Sequence, residues 1–312
     1  MNPWTQRRLT KMLLRFNPAA ALLAVGLAGL LWAGAATADD AVEVIDDLGN
    51  LVRLERPAKR IVALAPHIVE VVYAVGSGDK LVGAVNYSDF PEAAQQIPRV
   101  GTYKAFSAEA ILRLNPDLVL AWYSGNGPQR VAPIQNLGIP VYFSESRTLK
   151  DIGESMEKIG ILSGSKTAVT ARQKFDVTLQ ALTATYSNRQ PVSVFYQVWS
   201  DPLQTLNGDH MISDVIRLCG GRNIFSNVQS LAPKVSVESI LRIDPQVIVA
   251  SGMGEARPEW LDDWRRWPSL QAVKNQQLKF IPPDIIQRNT PRVLTGVKAM
   301  CEHLQDAREH YY

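Results

Sequence analysis

The sequence predicts an α/β protein of two similar doubly wound lobes joined by one long linker helix, with a ligand cleft between them. Three features point that way. A fifteen-residue stretch occurs twice, at 107–121 and again 129 positions later at 236–250. Strand and helix patterns alternate along most of the chain, as in parallel sheets covered on both faces. The alternation stops once, at 149–187, where two helical patterns follow one another.

The two copies share seven of fifteen positions: Ser107/Ser236, Glu109/Glu238, Ile111/Ile240, Leu112/Leu241, Arg113/Arg242, Pro116/Pro245 and Ala121/Ala250. In each copy the Ser reads as a helix N-cap, and the Glu sits in the first turn, where the helix dipole favours negative charge. A Pro then stops the helix. The apolar run after it has the length and composition of a strand buried on both faces. A period this long lies outside the roughly 20–50 residues of a solenoid, so the duplication implies two lobes.

In chain order, residues 1–38 read as a secretory signal: Arg7, Arg8, Lys11 and Arg15, then an apolar run, then Ala36-Thr37-Ala38 as the cleavage site. The apolar run is shorter than the roughly 20 residues of a membrane anchor. Arg7-Arg8 leaves both the general and the twin-arginine route open. Four of the 33 Lys and Arg and none of the 30 Asp and Glu fall in this segment, which leaves 29 against 30, a net charge of −1. Such a balance argues against a nucleic-acid partner.

The expected lobes are 39–148 and 188–312, with 149–187 as the helical linker. Residues 42–54 read as a hairpin with its turn at 47–50. The first lobe then has strands at 60–65 and 81–85, a short third strand just before Val100, a fourth from the first repeat copy, and a last strand at 140–143. Helices are expected at 68–75, closed by Gly76, and at 131–137, after a Gly-rich loop at 123–128. The linker holds helices at 151–162 and 166–185, the second some 30 Å long. The second lobe has strands at 192–198, in the second repeat copy and at 277–281, with helices at 211–218, 259–267 and 291–308. Cys219 and Cys301 are the only cysteines. An even pair in an exported chain reads as one disulfide in the second lobe, with two buried thiols as the alternative. By loop entropy a bridge over 82 residues stabilises by about 4 kcal/mol.

Ligands of open α/β sheets lie beyond the carboxyl ends of the strands, and the residues there are Pro66, His67, Tyr87, Tyr103, Trp122, Tyr123, Trp199 and 284–288. Any one of these rings alone reads as a packing residue. Several at equivalent topological positions point to a pocket for a bulky, flat ligand. Enzyme motifs are missing: there is no G-x-S-x-G, P-loop or H-E-x-x-H, and His67, His210, His303 and His310 lack metal-ligand spacing. Of these, His67 faces the cleft and His210 starts a helix.

These residues resemble the periplasmic binding proteins whose lobes are joined by one long helix, which feed ATP-driven importers of cobalamin, haem and ferric siderophores. The similarity spans nearly all of the chain after the signal. It is carried by Tyr87-Ser-Asp-Phe-Pro91, by Pro116-Asp-Leu-Val-Leu-Ala-Trp122 with Gly125-Asn126, by Leu218-Cys-Gly-Gly-Arg-Asn-Ile-Phe225 and by Arg288-x-x-Pro-Arg292. Ala-Trp-x-x-Gly-Asn and the two cysteines are closest to the cobalamin-binding members. The resemblance implies that Pro66, Tyr87, Trp122 and Arg288 surround a corrin, with Asp284 as an acidic contact beside the Arg. Tyr103 stands where a Trp is usual, and Ala232 where another aromatic is found. Trp199 then compensates from the neighbouring strand end. Glu109 and Glu238 match the acids that dock onto arginines of the two identical membrane subunits of an ABC importer. By the same resemblance the protein is a periplasmic monomer, not an enzyme, that carries cobalamin or a related corrinoid as cargo, with no resident cofactor or metal. The alternative cargo is haem or a ferric siderophore, with Tyr87, Tyr103 or His67 as axial ligand.

Overall fold

The structure, a computed structural model, describes residues 40–252 and 256–312. The expected signal segment, 1–38, lies outside the described residues. Ala41–Tyr312 form one compact unit.

This unit begins with the expected hairpin, β1 (Val42–Ile45) paired antiparallel with β2 (Leu51–Leu54). Its turn is held by Asp46, whose Oδ1 accepts from the backbone N–H of Leu48 and Asn50. Then come β3 (Ile61–Ala63), α1 (Pro66–Ala74), β4 (Leu81–Ala84), α2 (Ala108–Arg113), β5 (Leu118–Trp122), the single turn α3 (Tyr123–Asn126), α4 (Pro128–Asn136) and β6 (Val141–Ser144). The linker holds α5 (Leu149–Ser163) and α6 (Ala168–Tyr186). The second lobe runs β7 (Val192–Gln197), β8 (Trp199–Ser200), β9 (Leu203–Gln204), α7 (Met211–Leu218), β10 (Gly221–Asn223), α8 (Val237–Ile243), β11 (Val247–Ala250), α9 (Gln271–Lys274), β12 (Leu278–Phe280), α10 (Pro283–Ile286) and α11 (Val293–Tyr311).

The two main sheets are all-parallel, in the orders β4-β3-β5-β6 and β10-β7-β11-β12. Taken in chain order, both place their strands second, first, third, fourth. The duplication is therefore one of topology as well as sequence, and each sheet has its switch point between the first and third strands.

Both repeat copies fold alike. Ser107 and Ser236 cap α2 and α8 by accepting from the N–H of Ala110 and Ser239. Each helix ends at a left-handed residue, Asn115 (φ 44) or Asp244 (φ 54), one position before the Pro. Asn and Asp tolerate that conformation, which explains the like-for-like swap. One position after the Pro, Asp117 accepts from the N–H of Lys59 and Arg60, and Gln246 from that of Ser193. Each copy thus clamps the start of its lobe's first strand.

The structure departs from three expectations and adds one strand that the sequence pattern does not predict. The third strand before Val100 shrinks to a single bridge between Ala84 and Arg99; Pro98 has no N–H to continue a ladder. Pro66 and His67 form the first turn of α1 rather than a strand end, because Pro is pre-organised for the first helical position. The Gly-rich loop at 123–128 is the helical turn α3 followed by the start of α4. The strand β10 has no apolar pattern: it is an edge strand whose Gly221 lies where a Cβ would come within 2.6 Å of Leu304.

The linker helix α6 does not stand free. Its stripe of Ala168, Ala171, Phe175, Leu179, Leu182 and Tyr186 packs into a continuous core that runs from Val44 to Ala307 and includes residues of both sheets. Each lobe has its own second core, around Ile111 and Val131 in one and around Ile240 and Trp264 in the other. Parting the lobes widely would expose the shared core at about 25 cal/mol per Å², so the architecture favours small hinge movements. Cys219, at the end of α7, is bonded to Cys301 of α11. Among the described residues no helix is long and apolar enough to cross a membrane.

Candidate functional site

At the switch point of the first lobe, β5 ends in Trp122. Its indole lies edge-on to His67, with centroids 5.3 Å apart, and 5.8 Å from the Tyr103 ring at a tilt of 36°. The next four residues explain this placement. Asn126 is buried, and its side chain ties three backbone groups together. Its Oδ1 accepts from the Trp122 N–H at 2.6 Å, and its Nδ2 donates to the carbonyls of Leu64 (2.9 Å) and Tyr103 (2.7 Å). The ends of β3 and β5 and the Tyr103 loop are thereby pinned to one another. Gly125 makes room for the indole, since a Cβ there would sit 1.9 Å from the Trp122 ring. Ala-Trp-x-x-Gly-Asn is thus a device for holding an aromatic surface at a strand end.

Two of the expected aromatics stand apart from this cluster. Tyr87, after β4, is 70% exposed and has a left-handed backbone, φ 66. That conformation is uncommon for a bulky residue and costs about 1–3 kcal/mol. Trp199 is 37% exposed, and its Nε1 donates to the Asp201 carbonyl within the β8–β9 hairpin. Ala232 is exposed, its carbonyl accepting from Gln204 Nε2. Tyr123 turns its ring onto Phe143, 6.0 Å away. Large hollows of about 530 and 590 Å³ lie elsewhere, under the N-terminal hairpin and beside the turn Asn207–His210, and none of the expected ligand residues lines either.

Asp284 and Arg288 form a second cluster with residues to which the sequence alone assigned no role. Arg288 Nη2 lies 3.0 Å from Asp284 Oδ1, and its Nη1 donates to Glu70 Oε1 at 2.8 Å. Arg292 donates to both oxygens of Glu70, from Nε and Nη2, each at 2.8 Å. Glu70 belongs to α1 in the first lobe and both arginines to the second, so this is an ion pair between lobes. The Glu70 side chain is 2% exposed, and the Arg292 guanidinium lies 3.8 Å from the Phe90 ring centroid. A signal was present: Glu70 is the only charged residue in the apolar helix Pro66–Ala74, and an acid there needs a buried partner. Arg292 and Phe90 stand inside the motifs Arg288-x-x-Pro-Arg292 and Tyr87-Ser-Asp-Phe-Pro91, where neither had a role.

Burial, and then the Arg288 charge, push His67 down to about 4, and burial and then Arg147 do the same to His210. His210 caps α7, its Nδ1 accepting from the Ile212 N–H. Both imidazoles are neutral in the folded chain and take up protons on unfolding, which their ordinary values near 6.5 allow. Stability should therefore be full above about pH 6.5 and fall as the pH drops toward about 4. Thermal melts across that range should show the fall, and His210→Asn, which keeps a capping side chain without the titration, should reduce it to the part due to His67.

Glu109 and Glu238 occupy the same position in the first turns of α2 and α8, and both are exposed. Glu109 pairs with Arg113 one turn on. Glu238 has no ion-pair partner among the described residues, and its own backbone N–H, then the Ser236 side chain, hold its carboxyl below the usual range.

Two α/β lobes in the same strand order, joined by a helical linker, with aromatic and charged residues gathered at their strand ends, describe a binding protein. The chain belongs to the periplasmic binding protein family, whose model matches residues 61–285. More particularly, it is 39% identical over 259 residues to the vitamin B12-binding protein of Vibrio cholerae serotype O1, covering 81% of this chain and 91% of that one. The crystal structure of the periplasmic vitamin B12 binding protein BtuF of Vibrio cholerae superposes with a TM-score of 0.74 at 38% identity, over 81% of this chain and 98% of that one. The periplasmic heme-binding protein RhuT from Roseiflexus sp. RS-1 shares the fold, with a TM-score of 0.67, at 20% identity over 80% of this chain and 99% of that one.

Proposed function

We propose that this protein captures cobalamin or a closely related corrinoid between its lobes in the periplasm and hands it, as a monomer, to the membrane subunits of an ABC importer. The observation that carries the reading is the identity of 39% with a vitamin B12-binding protein across four-fifths of the chain. The aromatic surface at Trp122 supplies a physical reason. Trp122 and Tyr103 offer one lobe's face to the corrin, with Pro66 and Tyr87 beside them, and Trp199 offers the other lobe's. Such rings bury large area and freeze few rotamers. Arg288 and Asp284 bind the polar side chains at the corrin edge. No bond is made or broken.

Glu109 and Glu238 dock onto the importer. A twofold-symmetric partner needs the same acid presented twice, and the duplicated helix start supplies it. Export depends on a cleaved signal at 1–38.

The reading is tested by mixing the purified chain with cyanocobalamin and removing free ligand by gel filtration. The protein should retain the cobalt-corrin spectrum at one equivalent. Retention of haem with a Soret band, and no corrin, would replace this reading with the haem alternative.

A further inference from the structure

The cluster that joins the lobes contains two cations and two anions: Arg288 and Arg292, Glu70 and Asp284. An unpaired Arg at the edge of a ligand cleft is a carboxylate receptor, because its fork of N–H donors matches two oxygens. Here that capacity is already taken up. Glu70 accepts from both arginines, and Asp284 lies against the outer side of Arg288, so the group is neutral as a whole. Its parts differ in access. Glu70 is 2% exposed, Arg288 22%, Arg292 26% and Asp284 39%, so a ligand meets the arginines and Asp284 with Glu70 behind them.

We infer that Glu70 is a specificity-determining residue: by cancelling the arginine charge from behind, it makes the polar end of the cleft a receptor for uncharged amide side chains and a poor one for carboxylates. A primary amide has both a donor and an acceptor, and the exposed pair offers both in return, N–H from Arg288 and oxygen from Asp284. A carboxylate can only accept. It would face Asp284 with no surplus positive charge to offset the repulsion. Tetrapyrroles divide along this line into those edged by amides and those edged by carboxylates, and the cluster selects the amide-edged kind. The surroundings add no further positive charge: His67, the neighbour acted on by Arg288, is held neutral, and Arg292, with one face against Phe90, has its charge matched by both oxygens of Glu70.

This inference rests on the corrinoid reading, and its test separates the two. Cyanocobalamin and its monocarboxylate, in which one propionamide is hydrolysed, are titrated into the full chain, with quenching of tryptophan fluorescence as the readout. The wild type should prefer the amide about tenfold or more. Glu70→Gln keeps the shape but leaves one uncancelled positive charge, and should cut that preference at least fivefold, with a steeper dependence on salt. Glu70→Asp, which keeps the charge, should retain it. Asp284→Asn repeats the test at the exposed side of the cluster without disturbing the buried carboxylate, and should shift the ratio in the same direction. An unchanged ratio in both Glu70→Gln and Asp284→Asn would overturn the inference and leave the corrinoid reading standing. Failure of the wild type to bind either corrinoid would instead overturn that reading, and the inference with it.

Discussion

Replacing Glu109 and Glu238 together by alanine is expected to abolish importer-driven corrinoid uptake while leaving the affinity for cyanocobalamin unchanged. The two acids lie in the first turns of short, exposed helices, beyond the clusters at Trp122 and Arg288. Their removal opens no cavity. The Ser caps remain, so both helices should keep their starts. What is lost is a pair of exposed negative charges set identically on two lobes. A symmetric partner reads them with two copies of one basic site, and loss of both removes the steering and the register of docking. Single replacements should each lower uptake, with Glu109→Ala the milder, because Glu109 must first leave Arg113. Uptake in the double variant equal to wild type would remove the docking role.

Asn126→Ala should produce the largest loss of stability together with a loss of binding. It deletes three hydrogen bonds at once, that to Leu64 buried and the other two part-buried, and leaves the Trp122 N–H and the carbonyls of Leu64 and Tyr103 without their partner. Orphaned buried groups cost about 1–3 kcal/mol each, and partial relief by water brings the expected total to about 3–5 kcal/mol in denaturant unfolding. Corrinoid affinity should fall as well, since the same bonds fix Tyr103 relative to Trp122. Asn126→Asp should be no milder: it keeps the acceptor for Trp122 but points a carboxylate at two carbonyl oxygens. A stable Asn126→Ala variant with wild-type affinity would show that the aromatic surface is held by something else.

The sequence was most informative where local rules and packing agree. The duplicated stretch announced a Ser cap, a short helix, a Pro stop and a buried strand, and both copies adopt that form because each step is set by residues within fifteen positions. Of the aromatic cluster, the strand-end places of His67, Tyr103 and Trp122 were legible, while the part played by Gly125 and Asn126 in holding them together shows only in the fold. The disulfide followed from compartment and count. The interlobe cluster was not legible. Glu70 and Arg288 are 218 residues apart, and no local pattern says which arginine a buried acid will meet. Its lone charge in an apolar helix posed the question without answering it. Pro66 opens a helix where a strand end is expected, because a proline after a strand reads equally as a stop and as a helix start. The strand before Val100 failed because Pro98 removes the donor it needed. Tyr87 and Trp199 follow strands, the position that makes them expected site residues, and the fold leaves them 70% and 37% exposed.

A crystal structure of the chain with cyanocobalamin bound would show where the corrin sits. The corrin should lie between the lobes, with the Trp122 and Tyr103 rings against one side, Trp199 on the other and an edge amide at Arg288. A corrin seated elsewhere, with Trp122 out of contact, would contradict that placement.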